Sequence, residues 1–136
     1  MVALDLGEAR IGVAVSDPER KVALPAGTIV VAGGVEDLKA VARLVRDMEA
    51  TEVVVGHPVA LSGEAGTAAS RAEEFAGGLR LLLKVPVHLH DERLSTVEAE
   101  RRLRETGAGG RARRRAVDAT AAGVILESFL AARRTG

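Results

Sequence analysis

Apolar residues open the chain in two short runs, residues 2–6 and 11–15, separated by Gly7-Glu8-Ala9-Arg10. Two strands joined by a four-residue, glycine-containing turn form a β-hairpin on this pattern. Asp17-Pro18 marks a further turn. A third strand is expected over residues 22–31, with Pro25 imposing a bulge or an edge because proline cannot donate to a strand ladder. The chain therefore begins as a three-stranded antiparallel meander. After Gly33-Gly34 the period changes: Val35, Leu38, Val41, Ala42, Leu44, Val45 and Met48 recur at helical spacing.

Val53-Val54-Val55 is a β-branched run suited to a buried parallel strand. A loop over residues 57–66, a second helix over 67–83 and a short strand over 86–90 follow. Ser95-Thr96-Val97-Glu98 has the Ser-x-x-Glu spacing of a capping box and opens a third helix. Gly107-Ala108-Gly109-Gly110 ends it, and a last helix is expected over residues 113–132. The order βββαβαβαα implies an α/β domain spanning residues 1–136, with a mixed five-stranded sheet, antiparallel on one side and parallel on the other, covered by helices. No internal repeat or linker interrupts it.

Composition narrows the chemistry. The 136 residues are 47% apolar and 28% charged, enough for one hydrophobic core and a solvated surface. Aromatic residues make up 1%, namely Phe75 and Phe129, so a base-stacking platform for single strands is not expected. Cysteine is absent, which excludes disulfides, thiolate metal sites and a cysteine nucleophile. Met1-Val2-Ala3-Leu4-Asp5 has no charged segment followed by an apolar one, and no apolar run approaches the roughly 20 residues that span a bilayer, so a cytoplasmic protein is expected. Formal net charge is zero, yet residues 93–115 hold eight arginines against three glutamates. That basic segment is either a solvated helix face with a loop or a phosphate-binding surface.

Three sets of carboxylates stand in apolar surroundings. Asp5 lies inside Val2-Ala3-Leu4-Asp5-Leu6, where a carboxylate must be paired, hydrogen-bonded or metal-bound, unless it merely caps the hairpin. Gly7 close behind it permits near approach to the backbone. Asp91 and Glu92 end a strand, where ligands gather in α/β sheets; being adjacent they point to opposite faces if the strand continues, so one of the two would reach the centre, the alternative being that either caps the next helix. Asp118 sits among Val117, Ala119, Ala121 and Ala122, small neighbours that allow close helix approach, although an exposed helical aspartate is the alternative. Carboxylate oxygens are the donors hard cations prefer, and two such ions about 4 Å apart can activate a water and stabilise a leaving oxygen in phosphodiester hydrolysis. His57, His88 and His90 read as structural or surface residues rather than metal ligands.

Four blocks carry a resemblance. Leu4-Asp5-Leu6-Gly7-Glu8-Ala9-Arg10-Ile11-Gly12-Val13-Ala14-Val15-Ser16-Asp17, then Val54-Val55-Gly56-His57-Pro58 with Gly63, then His90-Asp91-Glu92-Arg93-Leu94-Ser95-Thr96-Val97-Glu98-Ala99, and finally Val117-Asp118-Ala119-Thr120-Ala121-Ala122 with Ile125-Leu126-Glu127-Ser128-Phe129-Leu130 occur in the order of the YqgF/RuvX family. The chain resembles this bacterial family along nearly its whole length. The resemblance implies an RNase H-like fold and a Mg²⁺- or Mn²⁺-dependent endonuclease acting on structured nucleic acid, either precursor 16S rRNA at its 5′ end or Holliday junctions. It places catalytic and metal-binding acids at Asp5, Glu92 (with Asp91 as the alternative) and Asp118. Phosphate contacts fall to Arg10, Arg93, Arg113, Arg114 and Arg115, with Ser95 a weaker candidate. His57 stands where the family usually has an apolar residue. The Arg111–Arg115 stretch stands where lysines are more frequent, and arginine keeps the charge while adding bidentate phosphate geometry. A monomer or a homodimer fits, since paired incisions favour two copies while no heptad marks an interface. The rival readings are a noncatalytic nucleic-acid-binding module of the same fold and a sugar-kinase-like ATPase, which would need a second domain.

Overall fold

A computed structural model describes residues 1–58, 66–93 and 120–135. Within them the elements are β1 (Val2–Leu6), β2 (Arg10–Ser16), β3 (Ala23–Val30), α1 (Val35–Asp47), β4 (Val53–His57), α2 (Thr67–Leu82), β5 (Val87–Asp91) and α3 (Ala121–Thr135). The helix expected after Ser95, the first part of the last helix and the arginine stretch at 111–115 lie outside the described residues.

The five strands form one sheet in the order β3-β2-β1-β4-β5. β1 pairs antiparallel with β2 and β2 with β3, while β1, β4 and β5 run parallel. This is the mixed sheet expected from a meander followed by alternating helices and strands. The hairpin turn closes where the Gly7 amide donates to the Arg10 carbonyl at 2.9 Å. At the next turn the Asp17 carboxylate accepts from the amides of Lys21 and Val22, at 2.7 and 2.8 Å. Pro25 is accommodated in both expected ways. β3 is an edge strand, and its register with β2 shifts between Gly12, opposite Thr28, and Ala14, opposite Pro25.

Strand alternation divides the side chains between two cores. Val2, Leu4, Ile11, Val13, Val53, Val55 and Val87 face one way, onto Val41 and Val45 of α1 and Ala72, Ala76 and Leu79 of α2. Ala3, Ala14 and Val54 face the other way, onto Ala122, Ile125, Leu126 and Leu130 of α3. The second face is lined by smaller residues, so α3 packs close against the sheet. Each fully buried Leu or Ile on these faces contributes about 1.5–3 kcal/mol by leaving water. That face carries the chemistry.

Candidate active site

Alternation along β1 puts Asp5 on the α3 face with Ala3, while Leu4 belongs to the opposite core. Its antiparallel partner is Gly12. On β5 the buried His90, which bonds Ser128 of α3, is paired with Gly56 of β4. Two residues beyond His90 comes Glu92, and the side chains of Glu92 and Asp5 are hydrogen-bonded to one another. Burial raises the pKa of both groups. For Glu92 the negative charge of Asp5 and the shared hydrogen bond raise it further, so Glu92 is the member that keeps the proton and Asp5 the one that accepts.

Two glycines make room for the pair. A Cβ on Gly56 would lie 2.6 Å from Cδ1 of Ile125 and 3.1 Å from Oε1 of Glu92, so only a hydrogen lets the Glu92 carboxylate and α3 come this near. A Cβ on Gly12 would meet Cβ of Asp5 at 3.7 Å and Cβ of Ala122 at 3.8 Å. The start of α3 thus stands directly over the Asp5 position.

The neighbouring acid is engaged elsewhere. Asp91 accepts from the Arg93 guanidinium, Nη2 to Oδ2 at 2.6 Å and Nε to Oδ1 and Oδ2 at 3.1 and 3.0 Å, and from the Arg93 amide at 2.9 Å. The Arg93 side chain holds the Asp91 carboxyl below its ordinary value, the reverse of what happens at Glu92. Arg10 opens β2 beside the hairpin and is exposed. Asp118, Arg113, Arg114, Arg115 and Ser95 lie outside the described residues. Among the described residues no three His, Cys, Asp or Glu side chains form a metal-holding group. The Asp5–Glu92 pair itself fits a hard divalent cation: it is an all-oxygen donor set, and a cation there would take the place of the shared proton.

Two histidines are tied to structure. His90 Nε2 bonds Ser128 Oγ at 2.8 Å and its ring meets Phe129 edge-on, while burial lowers its pKa. His88 Nε2 bonds Glu52 Oε2 at 2.8 Å. His57 is different: it ends β4 directly after Gly56, pairs in register with Asp91, and its charge is felt at both Asp91 and Glu92. The sequence pattern alone did not single out Gly12 and Gly56. The available signal was a glycine inside each of the two strands adjoining Asp5, the usual sign of close approach.

A mixed five-stranded sheet of this order, with acidic side chains meeting beneath a helix at its strand ends, defines an RNase H-like protein. The fold agrees with that of Thermus thermophilus RuvC, solved in complex with a Holliday junction substrate; at a TM-score of 0.60 and 17% identity the match covers 99% of this chain and 96% of that one. Residues 1–132 match the family model of RuvX, described as Holliday junction resolvase. A relative from Anaeromyxobacter dehalogenans (strain 2CP-C) is 47% identical over 129 residues, covering 95% of this chain and 94% of the relative. One from Thermobifida fusca (strain YX) is 51% identical over 138 residues, covering 95% and 85%. Both bear the name "Putative pre-16S rRNA nuclease". The chain belongs to the RuvX family.

Proposed function

We propose that this protein is a Mg²⁺- or Mn²⁺-dependent endonuclease of structured nucleic acid whose substrate is precursor 16S rRNA, cut toward its 5′ end. The observation that carries the reading is the hydrogen-bonded Asp5–Glu92 pair, held beside Gly56 and under α3. Two carboxylates buried together repel phosphate and one another; a divalent cation turns that liability into a phosphate-binding centre. Asp5 and Glu92 would hold the cation, and Asp118, four residues before Ala122, is the third acid. When bound, the metal supplies an activated water and a counter-charge for the leaving oxygen. Arg93, its fork set by Asp91, and Arg10 at the hairpin would contact phosphates near the centre. Arg113, Arg114 and Arg115 would extend that contact along the backbone. The relatives' name favours precursor rRNA, while the family description favours a four-way junction, so both substrates enter the test. The reading places the protein in the cytoplasm, as a monomer or homodimer.

The test incubates pure protein with a precursor 16S rRNA fragment, a four-way DNA junction and linear controls, with and without Mn²⁺. Specific cutting of the rRNA fragment only when metal is present is the expected result. Cutting that persists in excess chelator would overturn the metal role. Cutting confined to the junction would reassign the substrate, and binding without cutting on every substrate would make the chain a noncatalytic module.

A further inference from the structure

The face of the molecule opposite α3 carries a charged feature that the acidic centre does not use. Between α1 and the end of α2 runs an open groove of about 220 Å³, lined by Lys39, Ala42, Arg43, Arg46 and Asp47 of α1 and by Leu82 of α2. Lys39, Arg43 and Arg46 recur at helical spacing, so they stand in a line about 10 Å long on one side of α1. Arg46 Nη2 donates to the Leu82 carbonyl at 2.7 Å, which fixes that guanidinium across the groove. The side chains of Lys39 and Arg43 are exposed and, among the described residues, have no ion-pair or hydrogen-bond partner. Asp47 is the one carboxylate on the lining. Glu36 and Asp37 stand in the first turn of α1, and Asp37 is turned back onto the amides of Ala32 and Gly33 at 2.8 and 3.1 Å. Like charges four positions apart on a helix repel, so Lys39 and Arg43 cost the bare fold stability, and an anion lying between them removes that repulsion.

We propose that this groove binds the phosphate backbone of a substrate segment that flanks the cut, a contact separate from the acidic centre; the assignment rests on the nuclease reading above. The sheet stands between the two. α1 and α2 pack on one of its faces, and Asp5 lies on the other with α3. One nucleotide cannot reach both, so the groove is filled only by a structured substrate that passes around the domain. α1 starts soon after β3, whose last residue Val30 is the register partner of Arg10, so the row of cations descends from the hairpin end of the sheet. A line of cations over a shallow floor suits the repeated phosphates of a backbone. A folded acidic protein would need apolar anchors seated in pockets, and this floor offers Ala42 and Leu82 in place of a deep apolar pocket. The competing account makes Lys39 and Arg43 a solvated helix face with no ligand.

The experiment compares wild type with the double variant Lys39→Gln, Arg43→Gln on two RNAs, by anisotropy across a range of salt and without metal. One RNA is the precursor 16S rRNA fragment; the other is the same fragment trimmed to the segment around the mature 5′ end. Both substituted side chains are exposed, and Arg46 stays to keep its bond to Leu82, so the variant should melt at or slightly above wild type. On the long fragment the slope of log K against log salt should flatten by about 1.5 units, the share of two lost phosphate contacts, and affinity should fall about tenfold at low salt. On the trimmed fragment affinity should stay within about twofold of wild type. In Mn²⁺ the variant should keep kcat on both RNAs and raise KM on the long one. Unchanged binding of the long fragment would show a solvated face and overturn the proposal. Equal losses on the two fragments would overturn it too, because the contact would not then lie in the flank. Lost binding of polyglutamate with RNA binding intact would give the groove to an acidic protein, again against the proposal. A wild type that neither binds nor, in Mn²⁺, cuts either RNA would overturn the nuclease reading and this assignment with it. Failure of the groove alone leaves wild-type binding and cutting intact.

Discussion

Glu92 and Asp91 are neighbours with opposite fates, and they part where β5 ends. Glu92 follows His90 by two residues and comes to the α3 face, whereas Asp91 is claimed by Arg93. The pairing with Asp5 has a thermodynamic signature. Both acids have raised pKa values in the fold, so their proton-bound forms are favoured, and this contribution is present below their unfolded values and lost as pH rises through the raised ones. Metal-free Asp5→Asn should therefore melt above wild type at pH 7, with the gap closing near pH 4; saturating Mn²⁺ should reverse the order, as differential scanning fluorimetry would show. Gly56 and Gly12 give a second prediction. Gly56→Ala forces a methyl against the buried Ile125 and the Glu92 carboxylate and should cost about 1–3 kcal/mol in a urea melt, while Gly12→Ala, in ordinary contact distance, should cost less than about 1 kcal/mol. Asp5 was legible in the sequence as a charge in an apolar run, and Glu92 as one of two acids at a strand end. The glycines were not, because which strands flank Asp5 depends on sheet order.

At the level of elements, the hairpin and α3 carry the site. A Cβ on Gly7 would sit 2.5 Å from the Arg10 carbonyl oxygen, a backbone atom that cannot turn aside without opening the turn. The sequence pointed to this close approach at Gly7, and the hairpin and the central helices fell where hydrophobic period placed them. α3 is fastened at its far end by Glu52, which accepts from Arg133 at 2.8 and 2.5 Å and from Arg20 at 3.1 Å and bonds His88 at 2.8 Å. Arg133 also lies over the Phe129 ring, 4.9 Å from its centroid. Chiefly through Arg133, the Glu52 carboxyl is lowered from 4.5 to about 2. A depressed carboxylate pKa stabilises the fold above its unfolded value, so this contribution should hold above pH 4.5 and fade as pH falls through about 2. Glu52→Gln should cost about 1–3 kcal/mol at pH 7, discounted for the half-exposed arginines, and nearly nothing at pH 2. Comparing urea melts at the two pH values checks it. No sequence pattern announced this cluster, whose members lie up to 113 positions apart along the chain, from Arg20 to Arg133.

For the whole molecule, sheet order is what brings the described parts of four separate sequence blocks to one face. β1 lies centrally between β2 and β4, and β5 completes the parallel side, so Asp5 and Glu92 meet although 87 positions separate them. The order of elements and the mixed sheet were legible from a change of period; the crossing of α3 over Asp5 was not, since it depends on small residues from three strands. The basic stretch belongs to this scale as well. Replacing Arg113, Arg114 and Arg115 together by Ala should flatten the dependence of log K on log salt by about 2–3 units, measured by anisotropy with a labelled rRNA fragment. A slope that does not change would remove those arginines from the interface.

The most direct test sets Glu92→Gln against Asp91→Asn in Mn²⁺-dependent cleavage of the precursor 16S rRNA fragment. If Asp5 and Glu92 hold the metal, Glu92→Gln loses about 10³-fold or more in kcat, the scale of removing a group that acts only in the transition state. Asp91→Asn should keep kcat within about threefold while KM rises, because it releases only the Arg93 fork. Equal activity of Glu92→Gln and wild type, or loss with Asp91→Asn alone, would contradict the account.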